Sequence, residues 1–298
     1  MGRQGLVWGL VGGVFVSVWW GLTGESVVMF WVMMEVGVVF TVGVLLGEGS
    51  GLEAVVVYYV VQSFASAMML VGVLVGSCGI SCMAVILKVG LFPFMFWVVD
   101  VLWGVEMGWG VVLIVGVQKI LPFVFVLEYM VWWGWSWVIL AFSGVLSVFV
   151  GSVMLVQSSL VRMFLPLSSV VHSGWFIIFQ LFSPSLLIRY YGLYCFLLAG
   201  LVWVGFFCDR VGGFAIVCFS GLPPCLGFFM KLNLFWGGVV FSEMLVGVLM
   251  VLSIVGLGGY LREMNLCMIE SVAQGWESGI VGWGAIYLMV LTVVFVLG

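Results

Sequence analysis

The chain has 298 residues, of which 65% are hydrophobic and 7% charged, and a mean hydropathy of +1.40; a soluble domain carries about 25% charged residues. It cannot cover a surface with polar groups, so a water-soluble globular fold is excluded and lipid is its main solvent. The net charge of −4 is dispersed, with no basic patch, and gives no footing for nucleic acid as a partner.

A spanning helix needs roughly 20 apolar residues. Reading from charge to charge, about eleven candidate spans follow one another, near 5–22, 27–47, 54–76, 78–98, 109–127, 131–157, 162–182, 186–207, 212–236, 239–261 and 279–297. The first opens after Met1-Gly2-Arg3 and ends in Trp19-Trp20-Gly21-Leu22, without a small-residue cleavage site, and is expected to be a span rather than a signal peptide. The second carries Glu35, inside Phe30-Trp31-Val32-Met33-Met34-Glu35-Val36-Gly37-Val38-Val39-Phe40. The fourth is interrupted by Lys88 and Pro93, and the fifth by Lys119 and Pro122. Arg162 opens the seventh, which also carries His172 behind Ser168-Ser169. The ninth contains Ser220-Gly221-Leu222-Pro223-Pro224 and then Lys231. The longest polar stretch runs from Arg262 to Ser278.

In lipid every backbone polar group needs a partner within the chain, which selects helices or closed barrels. A barrel requires apolar–polar alternation, and runs such as Val111 to Val117 do not alternate. The expected fold is therefore all-α: one polytopic transmembrane helical bundle over residues 1–298, containing discontinuous helices. Gly9/Gly13 and Gly72/Gly76 have the spacing that lets helices approach closely, a weak signal among 42 glycines. Val, Gly, Trp, Phe and Cys crowd the sequence and share codons rich in G and T, which reads as a strand bias of the kind seen in organelle genomes.

A charge at the centre of a span costs about 2.5–3.5 kcal/mol on insertion scales and is a functional candidate by default. Glu35 needs a cation, water or a proton beside it. Pro122 removes a helical hydrogen bond near Gln118, so Lys119 is expected beside a broken helix; the plainer alternative is a kinked packing helix with a snorkelling lysine. The Pro223-Pro224 pair is expected to break the ninth span ahead of Lys231, and Pro93 the fourth. His172, the single histidine, can titrate near neutral pH or serve as a satisfied packing residue. Seven cysteines include Cys78 and Cys82 but no CxxC, and read as small buried residues rather than metal ligands. No HExxH, phosphate loop, nucleophile elbow or dinucleotide fingerprint is present, so neither catalytic chemistry nor a metal site is expected in this chain.

Several segments, in this order, resemble the subunit 2 family of the respiratory NADH:ubiquinone oxidoreductase, one of the antiporter-like membrane subunits. They are Trp31-Val32-Met33-Met34-Glu35, Glu53-Ala54 with Gln62, Lys88-Val89-Gly90-Leu91-Phe92-Pro93-Phe94-Met95-Phe96-Trp97, and Gln118-Lys119-Ile120-Leu121-Pro122. Ser168-Ser169 with His172-Ser173-Gly174-Trp175, Gly221-Leu222-Pro223-Pro224 with Gly227-Phe228 and Lys231, and Tyr260-Leu261-Arg262 complete the series. The resemblance implies that Glu35 and Lys119 form the acid–lysine pair of a proton channel, continuing along a hydrated axis toward Arg162, His172 and Lys231. It also implies residence in the mitochondrial inner membrane among other membrane-arm subunits and lipids. FMN, iron–sulfur clusters and ubiquinone are implied for partner subunits and no cofactor for this chain. The sequence departs from the family's usual residues at Met95 (usually His), Asp100 (usually Glu) and Met163 (usually Lys). Either Arg162 takes over the cationic role beside Met163 or the central relay works differently; an arginine is effectively always protonated.

The function expected from these readings is proton translocation coupled to electron transfer from NADH to ubiquinone in partner subunits. A free-standing secondary cation/proton antiporter would suit the broken helices and buried charges equally on physical grounds. A purely structural membrane scaffold would leave Glu35 and Lys119 costly and unexplained.

Overall fold

Chain stretches with few polar side chains can satisfy their backbone in lipid by coiling into helices, and no strand occurs among the described residues. The computed structural model describes residues 2–24, 26–129, 134–158, 161–182, 184–204 and 243–273, together with Ile216, Phe219, Gly221, Gly227, Phe228, Lys231, Leu232, Phe235 and Trp236. In chain order the helices are α1 (Gly2–Thr23), α2 (Val27–Glu48), α3 (Leu52–Val75), α4 (Cys78–Val89), α5 (Phe96–Gly104) and α6 (Trp109–Val115). They continue as α7 (Ile120–Tyr129), α8 (Gly134–Gln157), α9 (Phe164–Phe182), α10 (Pro184–Val204) and α11 (Glu243–Ala273). Six described stretches are long and apolar enough to cross a membrane: Gln4–Thr23, Val27–Glu48, Leu52–Val75, Trp109–Tyr129, Trp135–Gln157 and Val246–Asn265. The expected span at 279–297 lies outside the described residues, as does most of that at 212–236.

Local residues set the helix ends. Ser26 caps α2, its hydroxyl accepting from Met29 N at 3.2 Å. Gly49, Gly76 and Gly90 close α2, α3 and α4 at φ of 88°, 68° and 77°, the left-handed conformation that a side chain resists. The chain divides into two compact helical units, one of Met1–Val148 with Ser169–Leu181 and one of Phe149–Ser168 with Phe182–Gly298.

In the first unit, exposed Leu6, Trp8, Phe15, Trp19 and Trp20 give α1 an apolar outer face, as a lipid-facing helix requires. Gly72 lets α3 come against the backbone of Ser81, since a Cβ there would stand 2.8 Å from Ser81 N. The fourth expected span is two helices, α4 and α5, separated by residues 90–95. That irregular stretch has its backbone satisfied from α8: Phe92 N donates to Ser147 Oγ at 2.8 Å, and Ser143 Oγ donates to Phe92 O at 2.8 Å. Non-helical backbone is tolerated inside a membrane protein where protein groups bond it in this way. Pro93 lies in this stretch, behind a cis Phe92–Pro93 peptide.

In the second unit, α11 is held by the Tyr260-Leu261-Arg262 segment. Tyr260 Oη shares a hydrogen bond with Ser168 Oγ at 2.9 Å and its ring packs edge-on to Phe164 at 5.4 Å. Arg262 Nη1 donates to Val156 O at 2.5 Å, and Ser158 Oγ donates to Glu263 Oε1 at 3.3 Å. The span expected to stop at residue 261 therefore continues as helix to Ala273, 31 residues in all. Charges limit how much of a helix sits in lipid; they do not end the helix, because Arg and Glu are themselves good helix formers.

Candidate functional site

The first unit gathers most of the polar side chains that the apolar sequence makes conspicuous. Glu35, on α2, is half-buried and faces α3. Ser66 Oγ donates to its Oε1, and Ser63 Oγ donates to its Oε2 at 3.5 Å. Residues three apart share a helix face, so the two hydroxyls arrive together. One turn earlier on α2, Trp31 Nε1 donates to Ser66 O at 3.0 Å, which fixes the register of α2 on α3.

Lys119 is 3% exposed. It ends the short 3-10 turn Val117–Lys119 between α6 and α7, so the fifth span is broken at the lysine. The break is centred on Gly116 (φ −98°, ψ −92°) rather than on Pro122. Pro122 lies in the first turn of α7, where backbone N–H groups lack helical acceptors anyway and a proline costs little. The expected loss of a helical bond at Pro122 is thus replaced by a break six residues upstream.

Lys119 Nζ donates to Ser173 Oγ at 2.6 Å, and Ser173 Oγ donates to Ser169 O at 2.6 Å. A serine hydroxyl has one hydrogen to give and lone pairs to accept with; spending its hydrogen on its own helix leaves Ser173 an acceptor for the lysine. His172 is the next residue on α9, 3% exposed, with its ring 6.5 Å from that of Phe176. Gln180 Nε2 donates to Phe123 O at 2.9 Å, and the rings of Phe123 and Phe176 meet edge-on at 5.5 Å, which seats α9 on α7. The lysine at the break and the serine–histidine segment are therefore one cluster.

Gln118 joins this cluster to α2. Its Nε2 donates to Gly37 O at 2.8 Å and to Thr41 Oγ1 at 2.5 Å. Gly37 admits it closely, since a Cβ there would stand 3.2 Å from Gln118 Nε2 and 3.0 Å from Ser17 Oγ. Between Glu35 and Lys119 themselves there is no ion pair: the carboxylate rests on the α3 serines and the ammonium on Ser173. A third charged residue, Lys88 in the last turn of α4, is 4% exposed and lies within reach of the Glu35 charge.

In the second unit, Arg162 occupies the 3-10 turn Val161–Met163 and is exposed. Lys231 is buried, and a Cβ at Gly221 would stand 3.1 Å from its Nζ. Pro223 and Pro224 lie outside the described residues.

Ser63, Ser66 and Lys88 are residues near Glu35 that sequence reasoning passed over as such. Gln62, Ser63 and Ser66 form a polar patch at helical spacing within an apolar span, a signal that could have found the serines. Lys88 was visible only as an interruption, although the cost argument applied to Glu35 applies equally to it.

No family model matches the chain. It is 30% identical to NADH-ubiquinone oxidoreductase chain 2 of Branchiostoma lanceolatum and to that of Branchiostoma floridae, in each case over 85% of this chain and 83% of the relative. It is 29% identical to the same-named protein of Pisaster ochraceus, over 66% of this chain and 65% of that one. Its fold is similar to a chain of respiratory complex I from Thermus thermophilus, with a TM-score of 0.74 and 20% identity over 96% of this chain and 75% of that chain. A chain of the Mrp complex from Dietzia sp. matches with a TM-score of 0.74 and 17% identity, over 86% and 59%. By its identity to the lancelet proteins across most of both lengths, this multi-pass membrane chain belongs to the NADH-ubiquinone oxidoreductase chain 2 family.

Proposed function

We propose that the chain is a proton-translocating, non-redox subunit of NADH:ubiquinone oxidoreductase, seated in the membrane arm of the complex in the mitochondrial inner membrane. The observation that carries this reading is Lys119: a buried lysine at the break of a spanning helix, bonded to Ser173. A helix break brings backbone and side-chain polar groups to membrane depth, and a lysine there can take up and release a proton, which an arginine cannot. Glu35 on α2 and His172 on α9 are further titratable groups within the same unit. Arg162 and Lys231, in the other unit, are proposed as further residues of proton translocation, Arg162 contributing fixed positive charge. Partner subunits are expected to hold FMN, the iron–sulfur clusters and the ubiquinone site.

The direct test is native-gel separation of mildly solubilised organelle membranes, with an in-gel NADH dehydrogenase stain and mass spectrometry along the lane. Peptides of this chain are expected in the large NADH-active band. Their confinement to a small NADH-inactive band would overturn the proposal and favour a free-standing cation/proton antiporter.

A further inference from the structure

We propose that Ser143, Gly144 and Ser147 make one turn of α8 the positioning element that couples the two helix breaks of the first unit, at residues 90–95 and at Lys119. The inference deepens the proton-path reading and rests on it. The stretch between α4 and α5 is closed on itself: Leu87 O accepts from Trp97 Nε1 at 2.9 Å, Leu91 N donates to Ile86 O at 2.9 Å, and Phe94 N donates to Leu91 O at 2.7 Å. Phe92 is held from outside, by α8. Its N–H donates to Ser147 Oγ and its carbonyl accepts from Ser143 Oγ, each at 2.8 Å. Ser147 sends its own hydrogen to Ser143 O at 2.7 Å, which leaves it an acceptor for the Phe92 amide. Ser173 is arranged the same way on α9, with its hydrogen on Ser169 O and a lone pair toward Lys119 Nζ. Each break therefore rests on a serine set to accept.

The two serines stand on helices in backbone contact. Gly144, inside the Ser143–Ser147 turn, meets Gly174, the residue after Ser173. A Cβ on Gly174 would stand 2.6 Å from Gly144 O and 3.1 Å from Val148 N, and one on Gly144 would stand 3.3 Å from Gly174 O. Small residues permit this approach, and a close-packed interior transmits displacement rather than absorbing it. Satisfying the Phe92 backbone needs only the two hydroxyls. The crossing at Gly144 adds a second consequence: this turn of α8 cannot follow the first break without carrying the seat of Lys119 with it. A shift at either break reaches the other through α8, which sets position and carries no proton.

The test uses the assembled complex, with amide hydrogen exchange read by mass spectrometry and coupled turnover normalised to artificial-acceptor NADH oxidation. Ser147→Ala is expected to speed exchange at Phe92 and to lower coupled turnover by about two- to ten-fold, the factor that one net hydrogen bond makes in an equilibrium. Ser147→Thr, which keeps a hydroxyl able to bond the preceding turn, should restore both. Gly174→Ala, on α9, is expected to speed exchange at Phe92 as well, while Trp109 and Gly110, held by Glu48, keep the wild-type rate. If Gly174→Ala does not assemble, Gly144→Ala makes the same comparison with a milder wedge. Wild-type exchange at Phe92 in the glycine variant, or a rise matched at Trp109 and Gly110, would overturn the coupling. Threonine behaving as alanine does would overturn the part given to the hydroxyl. Normal pumping by Ser147→Ala beside an impaired Lys119→Met would remove the α8 turn from function and leave the wider reading standing. Normal pumping by both would remove the proton path itself.

Discussion

The side-chain amide of Gln118 donates to the carbonyl of Gly37 at 2.8 Å, tying the helix break that carries Lys119 to the helix that carries Glu35. The two charges need no ion pair to be held in one frame. Gly37 is two residues beyond Glu35 and Gln118 is one residue before Lys119, so displacement at either end reaches the other through one turn of backbone. Thr41 completes the joint: its Oγ1 donates to Gly37 O at 2.8 Å and accepts from Gln118.

Replacing Gln118 with leucine removes the joint while leaving a side chain of similar size in the site. Gly37 O and Thr41 Oγ1 keep their bond to each other, so the loss is that of two hydrogen bonds of about 0.5–1.5 kcal/mol each, and the variant is expected to lower the thermal stability of the assembled complex. Coupled turnover should fall further than artificial-acceptor NADH oxidation, since the loss loosens the seat of Lys119. Equal turnover by wild type and variant in inverted membrane vesicles would mean that the joint has no part in function.

Ser173 offers a separation of seat from charge. Ser173→Ala takes away the hydroxyl that accepts from Lys119 at 2.6 Å, whereas Ser173→Thr keeps a hydroxyl at the same position. The alanine variant should lower proton pumping toward the level of Lys119→Met, and the threonine variant should retain most of it. Pumping measured by a pH-sensitive dye in sealed vesicles distinguishes the two; matching behaviour of alanine and threonine variants would detach the hydroxyl from the path.

How much of this was legible beforehand depended on what an apolar background makes visible. Glu35 and Lys119 stand out because a charge in a long apolar run carries a cost that calls for a reason, and the all-helical architecture follows from the same solvent argument. The cause of the break beside Lys119 was less visible: Pro122 looked like the breaker, but a proline in the first turn of a helix is harmless, and the turn is made at Gly116. Ser63 and Ser66 are ordinary in any sequence, and become informative only when α3 packs on α2. Likewise α11 runs past Arg262 because the residues that end a hydrophobic stretch favour helix themselves.

Glu48 stands just past the second expected span and caps a helix 61 residues away. Its carboxylate accepts from Trp109 N at 2.7 Å and Gly110 N at 3.0 Å, two N–H groups of the first turn of α6. Bonds to a charged group contribute about 1.5–3 kcal/mol, and an anion suits the positive end of a helix. Glu48→Ala is therefore expected to lower the melting temperature of the complex, while Glu48→Gln, which keeps an acceptor but no charge, should show a smaller loss. Native-gel yield after graded heating reads both; identical melting of all three proteins would remove the cap from the account.

Gly221 tests the buried lysine of the second unit without changing it. Its φ of +81° is in the left-handed region, where a side chain costs roughly 1–2 kcal/mol. A Cβ there would also press on Lys231, 3.1 Å from Nζ and 3.2 Å from Cδ. Gly221→Ala should therefore displace the ammonium and lower coupled turnover. The comparison is Gly247→Ala on α11, where an added Cβ meets nothing within 4 Å and alanine favours the helix. Gly247→Ala is expected to behave as wild type in both assembly and turnover. If Gly221→Ala matches it, the close seat of Lys231 is packing alone; if Gly221→Ala assembles but turns over slowly, the position of that ammonium matters to the proton path.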